Sequence, residues 1–284
     1  MKGVKVKKKL FGGFIEFAVY DIASGRAKEL VEEVYREGVR LEKVFNFYDK
    51  KSFISQLNES RELEVSHEFL EVLRFALKIS KMTEGLYDVS FGHNFLNRKA
   101  GKKLKKLKCS YKDIKVSGKT VRLSSSDVLL DFGSIAKGYI TDKMGKALKK
   151  GGSKNWAINS RGDILVSGKY PSAVKIQHPR KKRRIVASIA VENLGVATSG
   201  DYIQYSESYD KSHILNQNHC ISVTVVAPTL MEADSYATAF SVLPLSEIEK
   251  ILKKNKKVKV LCIDKNLKAK EYNNFKRMIF KYGA

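Results

Sequence analysis

Ser222-Val-Thr-Val-Val-Ala-Pro-Thr-Leu-Met-Glu-Ala-Asp-Ser-Tyr-Ala-Thr238 runs from a short apolar strand into a helix. The pattern predicts a strand over 221–227 and a helix over 232–243. On that helix Asp234 and Thr238 stand four residues apart, one turn, so both project from the same face. A carboxylate beside a hydroxyl is hard-oxygen chemistry, suited to Mg²⁺ with water and phosphate completing the shell. A solvated Asp and a Thr bonded to its own helix backbone would show the same spacing.

About a hundred residues earlier, Asp131-Phe-Gly-Ser-Ile-Ala-Lys-Gly-Tyr139 repeats the transition, with a strand expected over 128–131 and a helix over 135–149, ended by Gly151-Gly152. Gly133-Ser134 allows backbone to approach a ligand closely. The following helix start offers free amides and a positive dipole end to a phosphate, with Lys137 in its first turn. A tight strand-to-helix turn would need the same glycine. The segment is neither a P-loop nor a GxGxxG fingerprint.

Working outward, 14–20 reads as a strand and 26–45 as an amphipathic helix with Leu30, Val34, Leu41 and Phe45 on its apolar stripe. A loop is expected over 47–58. A second helix follows, capped by Ser66 and burying Phe69, Leu70, Leu73, Ala76 and Leu77. Residues 83–92 read as irregular, 98–108 as an exposed Lys-rich loop, and 113–123 as a hairpin turning at Ser117-Gly118. Short β runs are expected at 156–166, 173–177, 185–191 and 258–264, and a polar turn at Ala197-Thr-Ser-Gly-Asp-Tyr202. Ser246 and Glu249 form a capping-box pattern. Strands and helices mix without regular βαβ alternation, which predicts an α+β fold. With no repeat and no Pro/Ser linker, 1–284 is expected to be one compact domain, its core at about 10–243 and a helix–strand extension at 244–284.

Composition narrows the function. Of 284 residues 43% are apolar, enough for a substantial core. No apolar run approaches the roughly 20 residues that span a bilayer, so no transmembrane segment is expected. Met1–Lys9 carries the charge of a signal peptide's first part, but Leu10–Tyr20 is interrupted by Glu16 and reads as a strand. Cys109, Cys220 and Cys262 are too few and too widely spaced for a disulfide framework or a zinc motif. Reduced, buried thiols and no early cysteine to carry a lipid point to the cytoplasm. The net charge of +24 gathers at 98–108, 180–184 and 250–259. No nucleic-acid motif accompanies it, so an anionic nucleotide or an acidic partner is the expected counterpart and nucleic acid is not.

Several residues could complete a ligand site. His213, in Ser212-His-Ile-Leu215, has the titration range of a general base or is a structural histidine. Gly85-Leu-Tyr-Asp88 and Phe47-Tyr-Asp49 each offer an aromatic ring and an acid in a loop, as a stacking platform or as a packed turn.

Taken in order, eight stretches resemble the ApbE family of FAD:protein FMN transferases: Phe11-Gly-Gly13, the Tyr48–Asn58 loop, Glu84-Gly-Leu-Tyr-Asp88, Asp131–Tyr139, Asn159-Ser-Arg-Gly-Asp-Ile164, Ala197–Tyr202, His213-Ile-Leu215 and Ser222–Thr238. The resemblance implies an enzyme that uses Mg²⁺ to cleave FAD, its substrate, and joins FMN to a Thr or Ser hydroxyl of an acceptor protein, releasing AMP. It implies metal ligation by the side chains of Asp234 and Thr238 with the carbonyls of Ser134 and Ala237. Phe11, Tyr48, Leu86, Tyr87, Asp88, Asp131, Lys137 and Leu215 would contact FAD, and His213 would be the base. The chain departs from the family twice. Arg161 stands where the Gly-Gly-Asp pattern has a small residue. After His213 the usual Ile-Ile-Asp-Pro-Arg-Thr-Gly becomes Ile-Leu-Asn216-Gln217-Asn218-His219. That loop keeps two alternatives open: an FAD pyrophosphatase with water as acceptor, and a non-catalytic FAD-binding protein.

Overall fold

The computed structural model describes residues 3–169, 173–181, 183–200 and 220–283. An eight-stranded, wholly antiparallel sheet forms its middle layer. It is built from β1 (Val4–Leu10), β2 (Gly13–Val19), β6 (Trp156–Ser160), β7 (Asp163–Ser167), β10 (Gly195–Gly200), β11 (Cys220–Ala227), β12 (Lys259–Asp264) and β13 (Ala269–Tyr272), in that spatial order. Helices α1 (Ser24–Phe45), α3 (His67–Met82), α5 (Ala136–Lys150) and α6 (Leu230–Ser241) supply the larger apolar core with one sheet face. A small sheet of β8 (Val174–Gln177), β9 (Ile185–Ile189) and β14 (Ile279–Tyr282) closes a second core on the other. The mixed fold and single compact body match the expected α+β class.

Burial on both faces explains the continuous apolar run of β11. Val223 and Val225 enter the helical core, while Ile221 and Val226 enter the second. The expected strand–helix transition at 221–243 is present, with Thr229 capping α6 by accepting from Glu232 N at 3.2 Å. Ser66 likewise caps α3 by accepting from Phe69 N, and the 114–123 hairpin forms as β4 (Ile114–Ser117) and β5 (Thr120–Leu123). Two residues of the next helix, α7 (Leu245–Lys254), reach the core.

Four local expectations need correction. Residues 47–58 are not all loop: α2 (Phe53–Ser60) starts there, capped by Ser52. Residues 128–131 make no strand beyond a bridge from Leu129 to Phe91. The side-chain amide of Asn58 takes the strand partner's place, donating to Leu130 O at 3.0 Å and accepting from Leu130 N at 2.7 Å. Residues 197–200 belong to the inner strand β10 rather than a turn, because β11 pairs with all of β10 while β7 pairs with its start, Gly195 and Val196. The Ser246–Glu249 capping box is absent: α7 begins two residues earlier than that box implies, with Pro244 at its N-cap, so Ser246 lies inside the first turn. The basic N-terminal run is β1, an edge strand whose Lys5, Lys7 and Lys9 face solvent between inward residues, a pattern that discourages edge pairing. Among the described residues no helix is long and apolar enough to cross a membrane.

One contact fixes α6 relative to α5. Asp142 of α5 accepts from Leu230 N and Met231 N, both at 2.8 Å, satisfying the first amides of α6. One turn earlier, Gly138 lies against the same backbone, where a β-carbon would fall 2.5 Å from Leu230 O. Asp142→Ala should lower the unfolding free energy by about 2 kcal/mol, since two buried amides lose their acceptor. Urea denaturation would measure it, and an unchanged midpoint would show that the cap contributes nothing.

Candidate active site

The α5–α6 contact sets the floor of a cavity of about 600 Å³ between the helices, the β6–β7 turn and β8. This is an ordinary size for a small-molecule site. Asp234 is buried on α6. Its Oδ2 accepts from Gly138 N at 3.2 Å, and its Oδ1 lies 3.8 Å from Lys137 Nζ. One turn on, Thr238 Oγ1 is 3.0 Å from Ser199 Oγ of β10. The one-face placement expected from the spacing is therefore present.

Lys137 sits between two acids. Its ammonium is hydrogen-bonded to Asp163 Oδ2, and Asp163 Oδ1 accepts from Thr198 N at 3.2 Å. Burial alone would lower the Lys137 ammonium, but Asp163 and Asp234 outweigh it and hold it above its ordinary value. Burial pushes the Asp234 carboxyl up; Lys137 opposes this and Asp163 adds to it. Two buried carboxylates thus share one ammonium. Sequence reasoning quoted Asp163 within a motif but gave it no role. Only folding shows that the β6–β7 turn delivers it to Lys137.

The wall is built from turns. At the end of α3, Thr83 Oγ1 accepts from Tyr87 N, and the backbone passes through positive φ at Glu84 and Gly85. This buries the Tyr87 ring and sets its hydroxyl 2.8 Å from Ser134 Oγ; burial raises that phenol. Asp88 spends both oxygens on backbone, accepting from Ser90 N and Tyr111 N. Asp131 accepts from Gly133 N at 2.9 Å, and burial raises it to about 6 against that bond and the charge of Lys99. Leu86 and Tyr48 stay exposed, Tyr48 beneath Lys99, whose Nζ lies 3.0 Å from its hydroxyl.

The candidate residues divide accordingly. Tyr48, Leu86, Tyr87, Asp88, Asp131 and Lys137 line one cavity, as do Ser134, Asp234 and Thr238. Phe11 does not line it. At positive φ between β1 and β2, its N–H donates to Glu42 Oε1, and its carbonyl accepts from Arg161 Nη1, which lines the cavity. Ala237 is fully buried within α6. His213 and Leu215 lie outside the described residues.

No group of three His, Cys, Asp or Glu side chains that could hold a metal occurs among the described residues. A hard divalent ion nevertheless fits the donor set. Asp234 and Thr238 offer oxygen only, and with both acids ionised the pair Asp163–Asp234 would carry one negative charge beyond what Lys137 neutralises.

The cavity thus joins a carboxylate–hydroxyl face and a lysine to an apolar wall, a combination suited to a ligand that bears both phosphate and a ring. The profile of the ApbE family matches residues 11–262, and the chain belongs to that family. It is 28% identical over 272 residues to the FAD:protein FMN transferase of Haemophilus influenzae, covering 81% of this chain and 78% of that protein. To the FAD:protein FMN transferase of Escherichia coli it is 24% identical over 283 residues, covering 87% and 80%. The flavin transferase ApbE from Vibrio cholerae superposes with a TM-score of 0.82 at 25% identity, covering 97% of this chain and 99% of that one.

Asp163→Ala should cost about 3 kcal/mol of stability, because it strips Lys137 of its nearest counter-charge and Thr198 N of its acceptor. Asp163→Asn keeps an acceptor for Thr198 and should cost less. Equal denaturation midpoints for wild type and the Ala variant would rule out the pairing as a structural element.

Proposed function

We propose that this protein is an Mg²⁺-dependent FAD:protein FMN transferase. It cleaves FAD, attaches FMN to a Thr or Ser hydroxyl of an acceptor protein and releases AMP. The observation that carries the reading is the Asp234–Thr238 face of α6 opposite Lys137 and Asp163 on one cavity floor. The relatives' shared name supports the substrate and the group transferred.

Asp234 and Thr238 would hold Mg²⁺, with Ser134 at the rim of the same floor. When bound, the ion supplies charge neutralisation on the phosphate oxygens. Asp163 holds Lys137 protonated and aimed into the floor, where its remaining donors reach a phosphate oxygen. Gly133-Ser134 and the start of α5 present amides to the same anion. Tyr48 and Leu86, exposed at the mouth, offer a surface to the flavin ring. The acceptor hydroxyl oxygen forms a bond to the FMN phosphorus while the bond from that phosphorus to the AMP phosphate breaks. AMP leaves with the bridging oxygen. The hydroxyl proton passes to His213. Cys109, Cys220 and Cys262 as thiols rather than disulfides are compatible with the same reading in a reducing setting.

Purified protein should release AMP from FAD with Mg²⁺ and acceptor present, and stop with EDTA. Asp234→Ala should reduce release at least about a hundredfold while the circular dichroism stays native. AMP release at the wild-type rate in that variant would remove Asp234 from the metal site. His213→Ala should retain FAD binding and lose covalent flavin in a denaturing gel. Normal transfer by that variant from pH 6 to 9 would assign the base elsewhere.

A further inference from the structure

Arg161 stands where the family's pattern has a small residue, so its side chain is this chain's own addition to the site. It holds φ 59°, and Gly162 follows at φ 105°. A side chain in the left-handed region is strained, and such strain persists where the surrounding structure imposes it, often at ligand sites. Among the described non-glycine residues with positive φ, Arg161 alone lines the cavity.

The side chain is held in place from behind. Its Nη1 donates to Phe11 O at 2.5 Å. Phe11 N in turn donates to Glu42 Oε1 of α1 at 2.6 Å, which pins the turn that supplies the acceptor. The arginine stem passes over Gly13, where a β-carbon would fall 2.8 Å from Nε and 3.1 Å from Cδ. One edge of the guanidinium is spent on the protein. Nη2 is left for a ligand atom, and residue 161 is exposed to the cavity.

The guanidinium stands beside the phosphate floor. It is near enough to Lys137 that its charge opposes the rise that Asp163 and Asp234 impose on that ammonium. Two residues further on, Asp163 holds Lys137 by a hydrogen bond. A ligand ring has other surfaces to meet: Leu86, Phe91, and Phe95 of α4 (Gly92–Lys99). Arginine stays charged and presents a planar fork that matches phosphate oxygens. A guanidinium fixed before the ligand arrives loses little side-chain freedom on binding.

We propose that Arg161 is a specificity-determining residue that donates, from the guanidinium edge left by Phe11, to the diphosphate of the bound nucleotide beside Lys137. Phe11 and Gly13 act through it as positioning residues. This rests on the flavin-transfer reading for the nucleotide's identity, but not for the diphosphate.

The test uses full-length protein in EDTA, so that FAD is bound without being turned over. FAD and riboflavin binding are read by flavin fluorescence, and ADP and inorganic pyrophosphate binding by titration calorimetry. The variants are Arg161→Gly, Arg161→Lys and Gly13→Ala. Arg161→Gly should keep its urea midpoint near wild type, because relief of the backbone offsets the lost bond to Phe11. It should weaken FAD, ADP and pyrophosphate at least about tenfold and leave riboflavin unchanged. Arg161→Lys keeps the charge without the fork and should fall between. Gly13→Ala leaves the arginine in the chain but displaces it, and should reproduce the same pattern in milder form with native circular dichroism.

Unchanged affinity for the three diphosphates in Arg161→Gly would overturn the proposal. So would an equal loss for riboflavin and FAD, which would assign Arg161 to the ring or to the shape of the cavity. A loss confined to FAD, with ADP and pyrophosphate unaffected, would overturn it likewise. Wild-type protein that binds ADP and pyrophosphate but not FAD would defeat the flavin reading, and the Arg161→Gly titrations would still decide the phosphate contact. Wild-type protein that binds none of the diphosphates would overturn both.

Discussion

The arrangement of the site depends on how closely α5 can approach the start of α6. Gly138 has no side chain, so its backbone meets Leu230 and Met231 directly. That approach lets Gly138 N donate to Asp234 Oδ2 and places Asp142 where it accepts from the first two amides of α6. A β-carbon at residue 138 would push the helices apart and move Asp234 away from Lys137. Packing and chemistry are therefore one constraint here: the contact that buries the helical core also aims the functional carboxylate.

The electrostatics follow from that burial. Taking Asp163 and Asp234 out of water is costly unless each finds compensation. Asp163 finds it in Lys137 and in the amide of Thr198, whereas Asp234 has one backbone donor and a more distant ammonium. The second carboxylate is left under-neutralised beside the Thr238 hydroxyl. That combination suits a hard cation better than it suits the fold, and it supports Asp234 rather than Asp163 as the proposed ligand.

Periodicity made the long elements legible. The apolar stripes of α1 and α3 and the strand–helix passage at 221–243 depend only on local spacing and burial. The errors have a common physical origin in partners far along the chain. Leu130 looks like a strand residue, yet its backbone is satisfied by the side chain of Asn58, 72 residues earlier. Gly195–Gly200 is too rich in glycine and small polar residues to suggest a strand, yet β7 and β11 make it one. The shared face of Asp234 and Thr238 was legible, because one helical turn fixes both on one side of α6. The role of Asp163 was not, since nothing local in Arg161-Gly-Asp163 reveals that Lys137 lies beyond the turn.

Arg161 shows how the chain accommodates a departure from its family. It occupies the left-handed region, φ 59°, at the β6–β7 turn, where a side chain costs more than glycine would. Its guanidinium crosses to the turn between β1 and β2 and donates to Phe11 O at 2.5 Å. This path is open because residue 13 is glycine: a β-carbon there would lie 2.8 Å from Arg161 Nε. The hydrogen bond offsets part of the backbone cost and ties two hairpin turns together at the cavity edge. The guanidinium also has no carboxylate partner among the described residues. A bulky cation can replace a small residue here because Gly13 leaves room and Phe11 supplies an acceptor, and the exchange adds positive charge at the cavity edge.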